Sequence, residues 1–341
     1  MNRPRLLITL GDVAGIGPEI VARAWPELVQ RAEPIVVGDP GWIERGLKLI
    51  GSPAKIQVID YPQAALPKED CIPCLRGSSQ NLEKVQAGKV CAEAGQAAYD
   101  FLCEAIDRTL RGEADGIVTA PLHKEGLHAA GLKYPGHTEI LAERTGTKEF
   151  AMVLFGDGLA VAHVTLHMAL RDIFLHLTPG AVLEKIRLLQ HLLPKLVDHP
   201  PRIAVAAVNP HAGDGGLFGN EESTILAPAI AQARQEGIEV SGPWPADTLF
   251  VRAHRGEFDG IVAMYHDEGH ILMKFRSGMR CVNISAGLPI IRTSVAHGTA
   301  YDIAGRGIAD ASSLVAATRV AERLAGCSHF SIAECGMRNA D

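Results

Sequence analysis

The chain has 341 residues, of which 47% are hydrophobic and 21% charged, with a formal net charge of −6. That composition suits a globular protein of one large domain or two medium ones. The acidic balance, the absence of a long basic run and an aromatic content of 5% argue against nucleic acid as a partner. No apolar stretch is long enough to span a bilayer, and the apolar run in MNRPRLLITLGDV is too short for a secretion signal. Seven cysteines, an odd number, suit a reducing compartment better than a disulfide framework. The expected location is therefore the cytoplasm, with no membrane partner.

Residues 5–10 read as the first strand and Gly11-Asp12-Val13-Ala14-Gly15-Ile16-Gly17 as the loop after it. Pro18-Glu19 then starts a helix, with proline at its first position and the acid facing its positive end. The loop glycines lack G-x-G-x-x-G spacing, so a Rossmann fingerprint is absent. A strand at 34–37, a helix at 41–50 and a strand at 55–59 continue the alternation. Residues 61–82 lack periodicity and carry Pro62, Pro67 and Pro73, which predicts an irregular surface excursion. Cys71-Ile-Pro-Cys74 lies inside it, with no second pair to complete a zinc site. Helical spacing of apolar residues predicts a long helix over 89–111. A short buried strand at 116–119 runs into Ala-Pro-Leu-His-Lys124 and then Tyr134-Pro-Gly-His137-Thr138-Glu139, where His137 or Thr138 could cap the next helix.

Strands at 150–155 and 159–164 flank Gly156-Asp157-Gly158, a hairpin signal. Such an antiparallel insert in a parallel alternation marks a second subdomain or a dimer arm. A helix at 179–197 and a strand at 203–208 lead to Asn209-Pro210-His211-Ala212-Gly213-Asp214-Gly215-Gly216, and Glu221-Glu222 open a helix. Another helix starts within 242–248. The apolar run 260–264 ends in Tyr265-His266-Asp267-Glu268-Gly269-His270. A strand at 281–285 is followed by Gly287-Leu288-Pro289, Arg292 and His297-Gly298-Thr299-Ala300, with Asp302 and Gly305 beyond. A helix at 309–324 closes the pattern, which is that of an α/β protein with a mostly parallel sheet.

Polar and titratable residues gathered at the ends of apolar strands are the pattern of an α/β active site. His167, His211 and His266 each stand just past a separate strand, and three imidazoles in equivalent positions suggest a divalent-metal site with an open position. His163 and His270 are rivals for the same role. Lys274 and Arg292 suit an anionic substrate, and Asn283 interrupts an apolar strand where its amide needs a partner. Lys124, Asp247 and Asp267 are all plausible general bases.

At this point the chain resembles, over nearly its whole length, the 4-hydroxythreonine-4-phosphate dehydrogenase family of vitamin B6 biosynthesis, a relative of the isocitrate and isopropylmalate dehydrogenases. The resemblance rests on Gly-Asp-x-Ala-Gly-Ile-Gly-Pro-Glu at 11–19, Gly136-His137-Thr138-Glu139, Asn209-Pro210-His211-Ala212-Gly213, Tyr265-His266-Asp267, Gly287-Leu288-Pro289 and Arg292-Thr-Ser-Val-x-His-Gly-Thr-Ala300. It implies NAD- or NADP-dependent oxidation of 4-phosphohydroxy-L-threonine, with decarboxylation to 3-amino-2-oxopropyl phosphate, on the way to pyridoxal phosphate. It also implies one divalent metal (zinc, cobalt, manganese or magnesium) on residues matching His167, His211 and His266, the last donated across a homodimer interface. His137, Thr138, Lys274, Asn283 and Arg292 match substrate-binding positions. His297, Gly298, Thr299 and Asp302 match a loop that binds the adenosine of the cofactor. The implied architecture is an α/β fold of two interleaved subdomains with an antiparallel dimerisation insert. The cofactor side is expected at about 1–135 plus 285–341, and the substrate, metal and dimer side at about 136–284.

The sequence departs from the family pattern at Val13, where proline is usual, and at Ala296, where aspartate is usual. Glu268-Gly269-His270 also varies a segment that often reads Gln-Gly-Leu. A sister group acting on threonate or erythronate phosphate carries the Gly-His variant, and another relative oxidises a dihydrodiol dicarboxylate. The alternatives are therefore a dehydrogenase of a four-carbon sugar-acid phosphate, or a catalytically silent metabolite sensor.

Overall fold

In the computed structural model, which describes residues 3–326, β1 (Arg5–Thr9) pairs on both sides and its Leu6, Leu7 and Ile8 are fully buried. A strand covered on both faces is apolar throughout, which is why this run shows no alternation. Then follow α1 (Gly17–Arg31), β2 (Glu33–Gly38), α2 (Pro40–Leu49) and β3 (Lys55–Ile59). The Asp39 carboxylate accepts the Trp42 N–H ahead of Pro40, fixing the start of α2. Next come β4 (Cys71–Arg76), α3 (Ala92–Leu110), β5 (Gly116–Thr119), α4 (Lys124–Ala129) and α5 (His137–Thr145).

A second run holds β6 (Ala151–Gly156), β7 (Leu159–His163), α6 (Ile173–His176), α7 (Pro179–Leu192), β8 (Ile203–Ala206), α8 (Ala227–Gln235), β9 (Val240–Trp244), α9 (Ala246–His254), β10 (Gly260–Ala263), α10 (His266–Ser277) and β11 (Val282–Ala286). The chain finishes with β12 (Arg292–Val295) and α11 (Ser312–Gly326). Two compact units result: Met1–Lys148 with Leu288–Asp341, and Glu149–Gly287. Helix α5, expected in the second subdomain, belongs to the first unit, where it packs on α3. No described helix is long and apolar enough to cross a membrane.

The strands of the first unit run β3-β4-β2-β1-β5-β12, all parallel. The order grows one way from β1 through β2 and the other way through β5, so the switch point lies between β1 and β5. Open α/β sheets bind ligands outside the carboxyl ends of strands at such a point. The strands of the second unit run β11-β6-β7-β10-β8-β9, and only β6 is antiparallel to its neighbours there.

One expectation changes. Residues 61–82 are not an irregular excursion, because β4 lies between β3 and β2 with Ile72 and Cys74 fully buried. Pro73 lacks a ladder N–H and disguised the strand. Cys71 and Cys74 are therefore sheet residues, and burial pushes the Cys74 thiol up to about 12. The hairpin at 150–164 forms as expected and falls in the second unit. β6 and β7 sit inside the sheet between β11 and β10, with Val153, Leu154, Val161 and Ala162 buried.

Candidate active site

In the second unit β7, β10 and β8 are adjacent parallel strands, and His167, His266 and His211 follow their respective carboxyl ends. His266 opens α10, so His270 falls one turn later on the same face. The two rings stack with centroids 3.7 Å apart, and His167 faces His266 at 5.8 Å. His266 Nδ1 lies 2.6 Å from Asp267 Oδ1, and His270 Nδ1 lies 3.1 Å from His163 Nε2. Position 269 must be glycine because a Cβ there would collide with the His163 ring. An open cleft of about 560 Å³ is lined by His167, His266, Asp267, Tyr265 and the apolar Leu166 and Leu170.

His211 is not brought to this group. It starts a run of left-handed residues, with φ of 54° at His211, 55° at Ala212 and 43° at Asp214, and its aromatic neighbour is Phe218 at 6.4 Å. Glu222 fixes the base of this turn by accepting the backbone N–H groups of Val208 and Asn209 at 3.0 and 2.8 Å. Left-handed backbone at non-glycine residues is strained and persists where the surroundings over-determine it. Among the described residues of one chain no group of three His, Cys, Asp or Glu side chains is placed to hold a metal. Within one chain His167 and His266 thus come together and His211 lies outside that pair, whereas the resemblance implies a triad completed by His266 across a dimer interface.

Burial lowers His163 to about 3 and His270 to about 4, reinforced by the neighbouring histidines, so both rings are neutral in the fold. Glu268 is pushed up to about 7 by burial, against the backbone N–H groups of Met264 and Tyr265 that favour its charge. Lys274, in the last turn of α10, and Asp247, in the first turn of α9, are exposed. Asn283 lies in β11 opposite Leu154, and its Oδ1 is buried with no hydrogen-bond partner.

In the first unit Arg292 is 1% exposed and donates from Nη2 to Thr119 Oγ1 at 2.7 Å. Burial brings its guanidinium down to about 9, with Glu139 acting the other way, so it stays charged at neutral pH. Burial and the Arg292 charge hold His137 well below the ordinary histidine value. Helix α5 begins at His137 behind Gly136, with no side-chain cap, so neither His137 nor Thr138 plays the capping part. Imidazole, hydroxyl, guanidinium and the free N–H groups of a helix start are the donor set an anion binds. Lys124 is exposed at the start of α4. His297 Nδ1 pairs with Gly298 O at 2.9 Å, while its Nε2 is buried without a partner. Thr299 is buried and Asp302 exposed on the same loop.

The sequence reading missed the cluster of Asp12, His123 and Tyr301 at the switch point, where the Tyr301 hydroxyl donates to Asp12 Oδ2 at 2.8 Å. No local signal marks a pair 289 positions apart. The contact of His266 with His270 did have a signal, their i, i+4 spacing.

The family model for the pyridoxal phosphate biosynthetic protein PdxA matches residues 30–321. The chain belongs to the PdxA family. It is 48% identical to the 4-hydroxythreonine-4-phosphate dehydrogenase of Beijerinckia indica, over 94% of each chain. It is 46% identical to the D-threonate 4-phosphate dehydrogenase of Cupriavidus necator, over 94% of this chain and 97% of that one. The crystal structure of the Klebsiella pneumoniae 4-hydroxythreonine-4-phosphate dehydrogenase superposes with a TM-score of 0.86 at 42% identity, covering 94% of this chain and 99% of that one. The PdxA family is a dehydrogenase family with an α/β fold, as the sequence led us to expect.

Proposed function

We propose that the chain is an NAD- or NADP-dependent, divalent-metal-dependent dehydrogenase that oxidises 4-phosphohydroxy-L-threonine and releases CO₂, giving 3-amino-2-oxopropyl phosphate. The observation that carries this reading is the pairing of the charged Arg292 with a neutral His137 at the first turn of α5, in a chain 48% identical to a 4-hydroxythreonine-4-phosphate dehydrogenase. Arg292, His137 and Thr138 hold an anionic end of the substrate. In the second unit the partnerless Asn283 Oδ1 is free to accept from a hydroxyl or amino group, and the exposed Lys274 is a cation.

The residues present fit a metal in two respects. His167 and His266 are imidazole donors lining one cleft, with ring centroids 5.8 Å apart. Asp267 engages His266 Nδ1, which leaves Nε2 as the ligand atom, the usual carboxylate–histidine arrangement. In the shared site that the family resemblance implies, His167 and His211 of one copy are completed by His266 of the second copy. The buried, partnerless His297 Nε2 likewise fits a loop that binds a cofactor, with Gly298, Thr299 and Asp302 beside it. When bound, the nicotinamide accepts the hydride and the metal, as a Lewis acid, makes the substrate hydroxyl more acidic. Lys124, Asp247 and Asp267 are the candidate proton acceptors, Asp267 with one oxygen on His266 Nδ1.

A homodimer with a shared site is supported by an apolar surface on α10. Ile271 and Phe275, one turn apart, are 69% and 90% exposed, and this helix starts at His266. Exposed apolar residues in such a cluster mark an interaction surface. The cytoplasm suits the five free cysteines among the described residues.

A second reading, oxidation of a four-carbon sugar-acid phosphate, is favoured by one observation. His270, in the segment that departs from the family pattern, stacks on a proposed metal ligand, and several relatives are D-threonate 4-phosphate dehydrogenases. NADH formation with 4-phosphohydroxy-L-threonine and with D-threonate 4-phosphate separates the two. A third outcome, tight binding of either acid with no NADH, would indicate a silent sensor.

A further inference from the structure

In the first unit the motif at 11–19 is knitted to residues 297–309 by contacts that the proposed chemistry does not use. Asp12 has no exposed surface, yet it is a carboxylate. Its Oδ2 accepts the Tyr301 hydroxyl at 2.8 Å and its Oδ1 the Ala14 N–H at 2.9 Å. The Ile16 N–H donates to Thr299 O at 3.0 Å. A Cβ at Gly15 would lie 2.8 Å from both Thr299 Cβ and Thr299 O, so only glycine admits this approach. Further along, the buried Glu19 accepts the N–H groups of Gly307 and Ala309 at 3.3 and 2.6 Å. The Tyr301 ring rests on His123, with centroids 4.4 Å apart and planes 14° from parallel.

Burying two carboxylates under a loop is costly unless their hydrogen bonds are met. Here every bond from Asp12 and Glu19 to the 297–309 stretch is spent on fixing that stretch, at the carboxyl ends of β1, β5 and β12 around the switch point. An apolar filler could pack the same space, but it would not dictate where Tyr301, Thr299 and Ala309 sit. The motif is therefore better explained as a cradle for the later loop than as a phosphate-binding turn.

We infer that Asp12, through the Tyr301 hydroxyl, is a positioning residue for the cofactor: it holds residues 297–302 in the geometry that receives the adenosine half of a nicotinamide dinucleotide, with His123 backing the tyrosine ring. This rests on the reading of His297, Gly298, Thr299 and Asp302 as the cofactor loop. Burial raises the Asp12 carboxyl, and the Tyr301 hydroxyl is pushed up by burial and by the Asp12 charge, so the proton stays on the tyrosine at neutral pH.

The test uses the full chain and NAD itself, with affinity measured by calorimetry well below the melting temperature. Tyr301→Phe deletes one oxygen and keeps the ring on His123; it should weaken NAD binding on the order of tenfold, as expected for loss of a hydrogen bond to a charged group. Asp12→Asn should weaken it at least as much, and if that variant fails to fold, Tyr301→Phe carries the test. Asp302→Ala probes the loop reading separately. NAD affinity unchanged in Tyr301→Phe but reduced in Asp302→Ala would overturn the positioning role and leave the cofactor loop standing. Unchanged affinity in both would remove the loop reading and the inference together. A lower melting temperature in Tyr301→Phe with unchanged NAD affinity would reduce the contact to structure alone and also overturn the proposal.

Discussion

His270 Nδ1 stands 3.1 Å from His163 Nε2, and the His270 ring lies flat against His266 at 3.7 Å. One of these nitrogens must donate and the other accept, which fixes both tautomers; His270 Nδ1 also faces the His266 carbonyl oxygen at 3.1 Å, so it carries the hydrogen and His163 Nε2 accepts. From sequence, His163 and His270 were rivals for the metal role. The geometry instead makes them supports for His266.

Replacing His270 by leucine should therefore lower metal affinity by about 10- to 100-fold, the usual cost of losing a partner that orients a ligand. Equilibrium dialysis with zinc or cobalt measures it directly. Wild-type affinity in a folded His270→Leu protein would refute the supporting role.

The same pair has a pH signature. The folded values of about 3 for His163 and about 4 for His270 lie below the ordinary value of about 6.5, so the unfolded chain takes up protons first. Their contribution to stability is complete above about pH 6.5 and drains away as pH falls through the folded values. Glu268, raised to about 7, works in the opposite sense: what it contributes is complete below about 4.5 and lost as pH rises through 7. Imidazole NMR shifts of His163 and His270 should stay in the neutral form down to about pH 5. A midpoint near 6.5 for either ring would contradict the buried pair.

Phe275, at 90% exposure, should lie under a second copy. Phe275→Glu would then convert a dimer to a monomer in sedimentation and abolish most activity while leaving the melting curve of the monomer cooperative. A wild-type protein that sediments as an active monomer would end the shared-site reading.

Much of this was legible in the sequence. The apolar strands at 116–119 and 260–264 fell where expected because strands buried on both faces must be apolar throughout. Where proline interrupts, as at Pro73 in β4 and Pro243 in β9, the strand was missed because tertiary pairing overrode local punctuation. His266 was noticed as a strand-end residue, but its place at a helix start, which aligns it with His270, was not. The bond of Asp12 to Tyr301 had no local signature, since two distant loops meet only after the sheet has formed.

The substrate phosphate should be worth several kcal/mol in the transition state. Turnover of the dephosphorylated acid is expected to fall on the order of 10³-fold in kcat/KM. Equal turnover would move the anion assigned to Arg292, His137 and Thr138 away from phosphate and towards a second carboxylate.

The central claim is oxidation of a phosphorylated hydroxy acid at a metal- and nicotinamide-dependent site. It is tested most directly by following NADH from the purified, metal-loaded protein with 4-phosphohydroxy-L-threonine and D-threonate 4-phosphate, before and after removal of metal by a strong chelator. The account predicts NADH and CO₂ with 4-phosphohydroxy-L-threonine, loss of both on chelation and their return with zinc, cobalt or manganese, the ions an imidazole set prefers over magnesium. No NADH from either acid, or full activity in a verified metal-free preparation, would contradict it.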